Sequence, residues 1–158
     1  MTIRSKSDES LSGHMLCCAT AVRKASRRIS QMYDDALEPA GLRSTQFAIL
    51  AELASHAEAP PTMAELAAAL VTDRSGLGHN LRPLERDGLI ALKASETDGR
   101  RRHVVLTARG RDRLKACLPL WQAAQDRFVQ VLGAAETTRL RRSLLAIAGD
   151  ERLGALTE

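Results

Sequence analysis

Residues 61 to 107 constrain the fold more tightly than any other part of this chain. They read P-T-M-A-E-L-A-A-A-L-V-T-D-R-S-G-L-G-H-N-L-R-P-L-E-R-D-G-L-I, then A-L-K-A-S-E-T-D-G-R-R-R-H-V-V-L-T. Thr62 begins T-M-A-E, in which the threonine hydroxyl can accept from the Glu65 amide while the Glu65 carboxylate reaches back, a capping box that opens a short helix to about Leu70. A second helix follows at once. Thr72 is its candidate N-cap, and Leu77, Leu81 and Leu84 fall on one face, which leaves Ser75, His79, Asn80 and Arg82 more outward. Gly88 stands where a helix commonly ends in a left-handed residue. Leu89 to Leu92 and His103 to Leu106 are apolar runs of strand length, and T-D-G between them supplies hairpin turn chemistry.

Two short helices, a tight turn and a hairpin tipped with Arg100, Arg101 and Arg102 make the pattern of a winged helix that reads DNA. One helix suits the major groove, and the arginines of the ribbon can reach phosphates or the minor groove. The charge distribution agrees. From Arg100 to Arg113 there are six arginines and a single acid, Asp112, in a chain of 158 residues with net charge +4, and such a concentrated positive field favours a polyanionic partner. Candidate DNA contacts are Thr62, Arg74, Ser75, His79, Asn80 and Arg82 in the helical part, with Asp98, Arg100, Arg101 and Arg102 in the wing. Asparagine suits the N6 and N7 of adenine. Alternation along the ribbon should send Arg101 and Arg102 to opposite faces. Arg74 and Arg109 either position the lobe or pair with Asp98, while Arg82 and Arg86 either touch phosphate or pair with Glu85 and Asp87.

The flanking sequence is helical. Residues 1–12 are polar and aperiodic and read as a flexible arm. Apolar residues recur at helical spacing from His14 to Leu37, where Pro39 and Gly41 stop the run. A further helix over residues 44–57 carries Phe47, Leu50, Leu53 and Ala54, and the linker A-E-A-P-P ends it. After the hairpin, Thr107 to about Leu132 shows a seam through Leu114, Cys117 or Leu118, Trp121, Phe128 and Val131; Gly133 breaks it, and Leu140, Leu144 and Ile147 line a last helix to Ala148. The result is a mainly α protein with a small β-hairpin wing. Long end helices need something to bury their seams, and a symmetric dimer does so while placing two reading helices about one DNA turn apart.

Other classes are disfavoured. No apolar run approaches the roughly 20 residues of a bilayer span, and the amino terminus lacks the apolar centre of a secretory signal, so a cytoplasmic protein without membrane partners is expected. Cys17, Cys18 and Cys117 form neither a disulfide framework nor a metal cage, and His14, His56, His79 and His103 are scattered without second ligands at metal spacing. No cofactor or metal is expected. There is no nucleophile with a base, no glycine-rich phosphate loop and no acid pair suited to a cleft, so the chain does not read as an enzyme.

From Cys17 to Ala148 the chain resembles the multiple antibiotic resistance regulator (MarR) family of winged-helix transcription factors. The resemblance is carried jointly by Y-D-D-A-L-E-P-A-G-L-R-S-T-Q-F-A-I-L, by T-M-A-E-L-A, by D-R-S with N-L-R-P-L-E-R-D-G-L-I, and by D-G-R-R-R-H-V-V-L-T-A-R-G. It implies a single domain over 13–158: a winged helix-turn-helix lobe at about 44–110, flanked by terminal dimerisation helices at about 13–40 and 108–150. It also implies that Arg100 enters the minor groove while Asp98 orients arginines of the lobe, and that Ser75, His79, Asn80 and Arg82 are the reading positions. A homodimer occupying an operator as a repressor, released by a small and often phenolic ligand or by thiol oxidation, belongs to the same implication. Cys17 and Cys18 are the redox candidates for the thiol alternative, and Tyr33 and Trp121 are candidate walls of an effector cavity. A winged helix that binds protein in place of DNA is the alternative from another class.

The sequence departs from the family pattern in three places. Arg43 stands where relatives often have threonine, three residues before Gln46, so the capping box of that helix is incomplete at a cost of about 1 kcal/mol. Gly76 and Gly78 sit in the first turns of the reading helix, each costing about 1 kcal/mol relative to alanine; they either admit DNA closely or soften the helix. Pro83 removes the bond to the His79 carbonyl and is expected to bend the axis.

Overall fold

The computed structural model describes residues 17–94 and 101–153. Among these residues, six helices and two strands position the site. Helix α1 spans Cys18–Leu37 and passes through a 3₁₀ turn, Glu38–Ala40, to Gly41 at φ +69°, a left-handed conformation that glycine adopts without strain. Helix α2 is Ser44–Ser55, α3 is Met63–Ala69 and α4 is Arg74–Arg86. Strands β1, Ile90–Ala94, and β2, Arg102–Leu106, pair antiparallel with Ile90 opposite Leu106 and Ala94 opposite Arg102. Each strand therefore differs by a residue or two from the runs read off the sequence. Two further helices, α5 over Ala108–Leu132 and α6 over Ala134–Ala148, meet at Gly133 with φ +88°. Both α4 and α5 continue through an internal proline, Pro83 and Pro119.

The lobe core is a cluster of aliphatic side chains drawn from every element between α1 and α5. Leu50 and Leu53 of α2, Leu66 of α3, Leu77 and Leu84 of α4, Leu89, and Val104 of β2 are all fully buried, each contributing about 2 kcal/mol of hydrophobic stabilisation. Cys117 joins the same cluster from α5, and Phe47 stacks on Trp121 at 6.0 Å and 14°. Trp121 is thus half-buried and packed against the core cluster. Helix α5 can press onto the hairpin because residue 110 is glycine: a Cβ there would lie 2.0 Å from the Leu89 carbonyl oxygen and 2.7 Å from Leu106 Cδ1. Gly88, at φ +69°, ends α4 as its position suggested.

Helix starts show one correction and one expected gap. Helix α4 is capped by Asp73, whose Oδ1 accepts from the Gly76 amide at 2.8 Å, and not by Thr72. At α2, Arg43 offers no acceptor, so only one half of the box forms, with Gln46 Oε1 accepting from the Arg43 amide at 2.9 Å. A residue from another helix supplies the rest. Asp34 of α1 accepts from the Ser44 amide at 2.7 Å and from its hydroxyl at 2.6 Å, satisfying an amide that a helix start otherwise leaves without a partner. Partial burial alone would raise the Asp34 carboxyl, but the two Ser44 bonds, with Arg43 adding charge, hold it below its usual value. The linker before α3 is also more than a connector: Val104 donates to the Pro61 carbonyl at 2.9 Å and Thr62 forms an isolated antiparallel bridge with His103, so the linker is tied to the edge of the hairpin.

Candidate nucleic-acid interface

Helix α4 has a clean division of faces. Leu77, Leu81 and Leu84 are 1%, 3% and 1% exposed, while Arg74, Ser75, His79, Arg82 and Arg86 are all exposed. At 3.6 residues per turn Ser75, His79, Arg82 and Arg86 share one side, with Arg74 at its edge and Gly78 among them. Four of the sequence candidates, Arg74, Ser75, His79 and Arg82, therefore stand together on a solvent-facing surface. The buried leucines fix the rotation of the helix, so the polar face has no freedom to turn inward.

Asn80 stands apart from this group. It is half-buried, and its Nδ2 donates to the Gly76 carbonyl at 2.9 Å, so its amide is turned back on its own helix and away from the face that carries His79 and Arg82. Thr62 is likewise engaged: its hydroxyl donates to Glu65 Oε2 at 2.8 Å and accepts from the Glu65 amide at 3.3 Å, and its own amide donates to Glu65 Oε2 at 2.7 Å. The capping box anticipated from T-M-A-E is complete. The Thr62 amide and hydroxyl hold the Glu65 carboxyl below its ordinary value. Arg86 Nε donates to Asp87 Oδ1 at 2.9 Å, as one of its two readings had it, and this bond shifts the Arg86 guanidinium up and the Asp87 carboxyl down. Arg109 and Arg113 add to the field on Asp87.

Of the wing candidates, Asp98 and Arg100 lie outside the described residues. Arg101 and Arg102 are exposed at the start of β2, and the Arg101 charge reaches Glu65. His103 fixes the base of this strand: because a carbonyl only accepts, its Nδ1 carries the hydrogen donated to Pro60 O at 2.7 Å. The residues missed from sequence are the ones that hold the surface in place, namely Asp34, Asp73 and His103. Asp73 had a local signal, being three residues before Gly76; the other two act across 10 and 43 positions, where spacing says nothing.

Away from this surface, Cys17 and Cys18 are exposed and Cys117 is buried. Cys17 is the N-cap residue of α1, and hydrogen bonds from the Thr20 amide, the Thr20 hydroxyl and the Ala19 amide, with Arg23 nearby, lower its thiol from the ordinary value. Burial raises Cys117. Among the described residues no cluster of three or more histidines, cysteines or acids could hold a metal ion, and no helix is long and apolar enough to cross a membrane.

A family model described as the MarR family matches residues 40–101. The Mycobacterium tuberculosis transcriptional regulator MosR in complex with DNA is 35% identical, with 89% of this chain and 99% of that chain covered at a TM-score of 0.78. The chain belongs to the MarR family. Other solved structures similar to this MarR-family chain include the transcriptional repressor CouR bound to a 23-mer DNA duplex, 25% identical over 94% of this chain and 99% of that one at a TM-score of 0.76. A probable transcriptional regulator from Pseudomonas aeruginosa is 26% identical, covering 82% of this chain and 96% of that chain at a TM-score of 0.74. No curated protein is similar to the chain at a significant level.

Proposed function

We propose that this MarR-family protein is a homodimeric transcriptional repressor, and not a catalyst, in which each α4 and each wing engage half of a pseudo-palindromic operator. The observation that carries the reading is the exposed face of α4, with Arg74, Ser75, His79 and Arg82 beside an arginine-bearing hairpin, in a chain 35% identical to a regulator whose structure contains DNA. Arg100 is assigned to the minor groove and Asp98 to orienting lobe arginines, while Arg101 and Arg102 serve phosphates. Asn80 reads adenine only if its bond to Gly76 opens, and Thr62 acts by holding α3. The terminal helices form the dimer, and the lobe and these helices make up one domain.

The test is selection of duplexes from a randomised pool, followed by a gel shift at increasing salt. Binding should weaken steeply with salt as phosphate contacts are screened. No retarded species at low salt would end the regulator reading and favour a winged helix that binds protein. Arg100→Ala should weaken binding at least tenfold and leave the dimer intact; unchanged affinity removes the wing assignment.

Release is assigned to a small aromatic ligand. A cleft of about 290 Å³ between α1, α5 and α6 supports this, with Ile29, Phe128 and Leu140 as apolar walls and Arg141 at hand; Tyr33, whose hydroxyl donates to Gln125 Oε1 at 2.6 Å, lines it too. A screen of aromatic acids and their coenzyme A esters, scored by release of the selected duplex, tests the assignment.

A second reading is favoured by Cys17, which is exposed and carries a lowered thiol at the start of α1. Thiolate and access are the two requirements of a reactive cysteine. The Cys17 thiolate would attack a hydroperoxide, taking one oxygen to become a sulfenic acid while the alkoxide leaves and is protonated. Cys17→Ser should then abolish peroxide-induced release of DNA, with Cys18→Ser as the companion variant; release that persists in both eliminates the thiol reading.

A further inference from the structure

We infer that Gly78 marks where the α4 backbone lies against the base edges of the operator, and that any side chain at this position holds the reading helix away from the groove. The inference rests on the DNA-reading function proposed above and assigns a positioning role within it. Its starting point is that glycine is, after proline, the least favourable residue in a helix interior, so an interior glycine calls for a local reason. The other two glycines inside described helices have one. At Gly110 a Cβ would sit 2.0 Å from the Leu89 carbonyl oxygen, and at Gly76 it would lie 3.2 Å from Thr72 Oγ1 and 3.4 Å from Asp73 Oδ2, the group that caps the helix. At Gly78 a Cβ would meet nothing within 4 Å, and the residue has no positive φ. No contact inside the protein and no backbone conformation requires a glycine there.

Its neighbours point outside the protein. On a helix surface the residues adjoining position 78 are those three and four away: Leu81 faces the core, while Arg74, Ser75 and Arg82, with His79 next in sequence, are exposed. Gly78, itself half-buried at the edge of the leucine face, is therefore a strip of backbone without a side chain, bordered on its outer side by two arginines, a hydroxyl and an imidazole. The same turn has an acceptor to spare, since Pro83 has no N–H to give to the His79 carbonyl. A bare backbone with a spare carbonyl, flanked by cations, suits the edge of a base pair bordered by its phosphates, and each flanking side chain can then reach inward past the helix.

The experiment compares Gly78→Ala with the unaltered dimer by fluorescence anisotropy, on a duplex selected from a random pool by the unaltered protein and on an unrelated duplex of equal length, with thermal melting alongside. Alanine should keep or raise the melting temperature and lower affinity for the selected duplex at least tenfold. Affinity for the unrelated duplex should change less than twofold, because the phosphate contacts of the arginines persist. Selected-duplex affinity within twofold of the unaltered protein overturns the inference and leaves Gly78 as a helix-softening residue. Equal losses on both duplexes overturn it as well, as does a lower melting temperature, which would expose an internal requirement for glycine. If the unaltered protein selects no duplex at all, the DNA-reading function fails first, and the role of Gly78 with it.

Discussion

The lobe and the terminal helices solve the burial problem in opposite ways. In the lobe, short helices and a two-stranded hairpin converge on one cluster, so that Leu50, Leu66, Leu84 and Val104 are completely shielded within a single chain. The terminal helices are longer, yet α6 contributes only Thr137 to the buried set, and Val131, Leu145 and Ile147 stand 82%, 66% and 54% exposed. Residues 18–28 of α1 have no buried member on any side. Apolar surface on this scale marks an association site. The contrast teaches that the lobe closes its core within one chain and keeps its polar side chains outward, whereas the end helices leave apolar side chains uncovered, as the proposed homodimer requires.

The comparison breaks most severely where the two regions touch. Gly110→Ala puts a methyl group into the Leu89 carbonyl, which neither α5 nor the hairpin can avoid without separating. Destabilisation of more than about 3 kcal/mol is expected, at the upper end for overpacking. Urea denaturation measures it, and a loss under 1 kcal/mol would mean that the end of the hairpin is not held against α5.

Next in size is the half-finished face. Replacing Val131 and Ile147 together by aspartate alters nothing in the lobe core but sets charges on the exposed apolar surface. The chain should sediment as a monomer, with its lobe still folded by near-native circular dichroism. DNA affinity should fall at least a hundredfold, about 2.7 kcal/mol, since one half-site is left to bind alone. A variant that remains dimeric would place the association surface elsewhere and undo the contrast drawn above.

How far each region could be read from sequence follows the same division. The lobe was legible because its signals are local: T-M-A-E predicts the Thr62–Glu65 box, the spacing of Leu77, Leu81 and Leu84 predicts the buried face of α4, and Gly88 predicts its left-handed end. Errors there were small, as with Asp73 in place of Thr72 as N-cap. The exposed set was also largely legible, except that Asn80, flanking the leucine stripe, folds its amide onto Gly76. What sequence could not show were bonds between distant segments. Asp34 reaches Ser44 across a turn, and His103 reaches Pro60 across most of the lobe; no periodicity encodes either. Trp121 was ambiguous for a related reason, because only packing distinguishes a residue stacked on Phe47 from one lining a cleft.

Asp34 is the link between the two regions, and removing it should have a moderate effect. Asp34→Ala leaves the first amide of α2 without its carboxylate and should cost about 1 kcal/mol at pH 7. The sign of the pH dependence is set by the lowered carboxyl of the folded state. A carboxylate with a depressed folded value contributes fully above its unfolded value, ordinarily 3.8, and loses that contribution as pH falls through the folded value. The stability difference between the natural chain and Asp34→Ala should therefore hold from pH 7 to about 5 and shrink below about 4. A difference that stays constant down to pH 2 would show that the alanine acts through packing and not through the charge.

The smallest effect is expected from restoring what the sequence lacks. Arg43→Thr supplies a hydroxyl that can accept from the Gln46 amide, completing the box of which Gln46 already forms its half. The replaced guanidinium contributes little in return, since its 3.5 Å pair with Asp34 is made by a side chain 77% exposed and such pairs add at most a few tenths of a kcal/mol. A full N-cap gains about 1 kcal/mol, but here Asp34 already serves the neighbouring Ser44 amide, so a gain of only about 0.5 kcal/mol is expected. Combining Arg43→Thr with Asp34→Ala separates the two devices. If the threonine recovers less than half of the loss caused by Asp34→Ala, the carboxylate matters chiefly as a tie between α1 and the lobe; full recovery would reduce Asp34 to a cap borrowed from a distance.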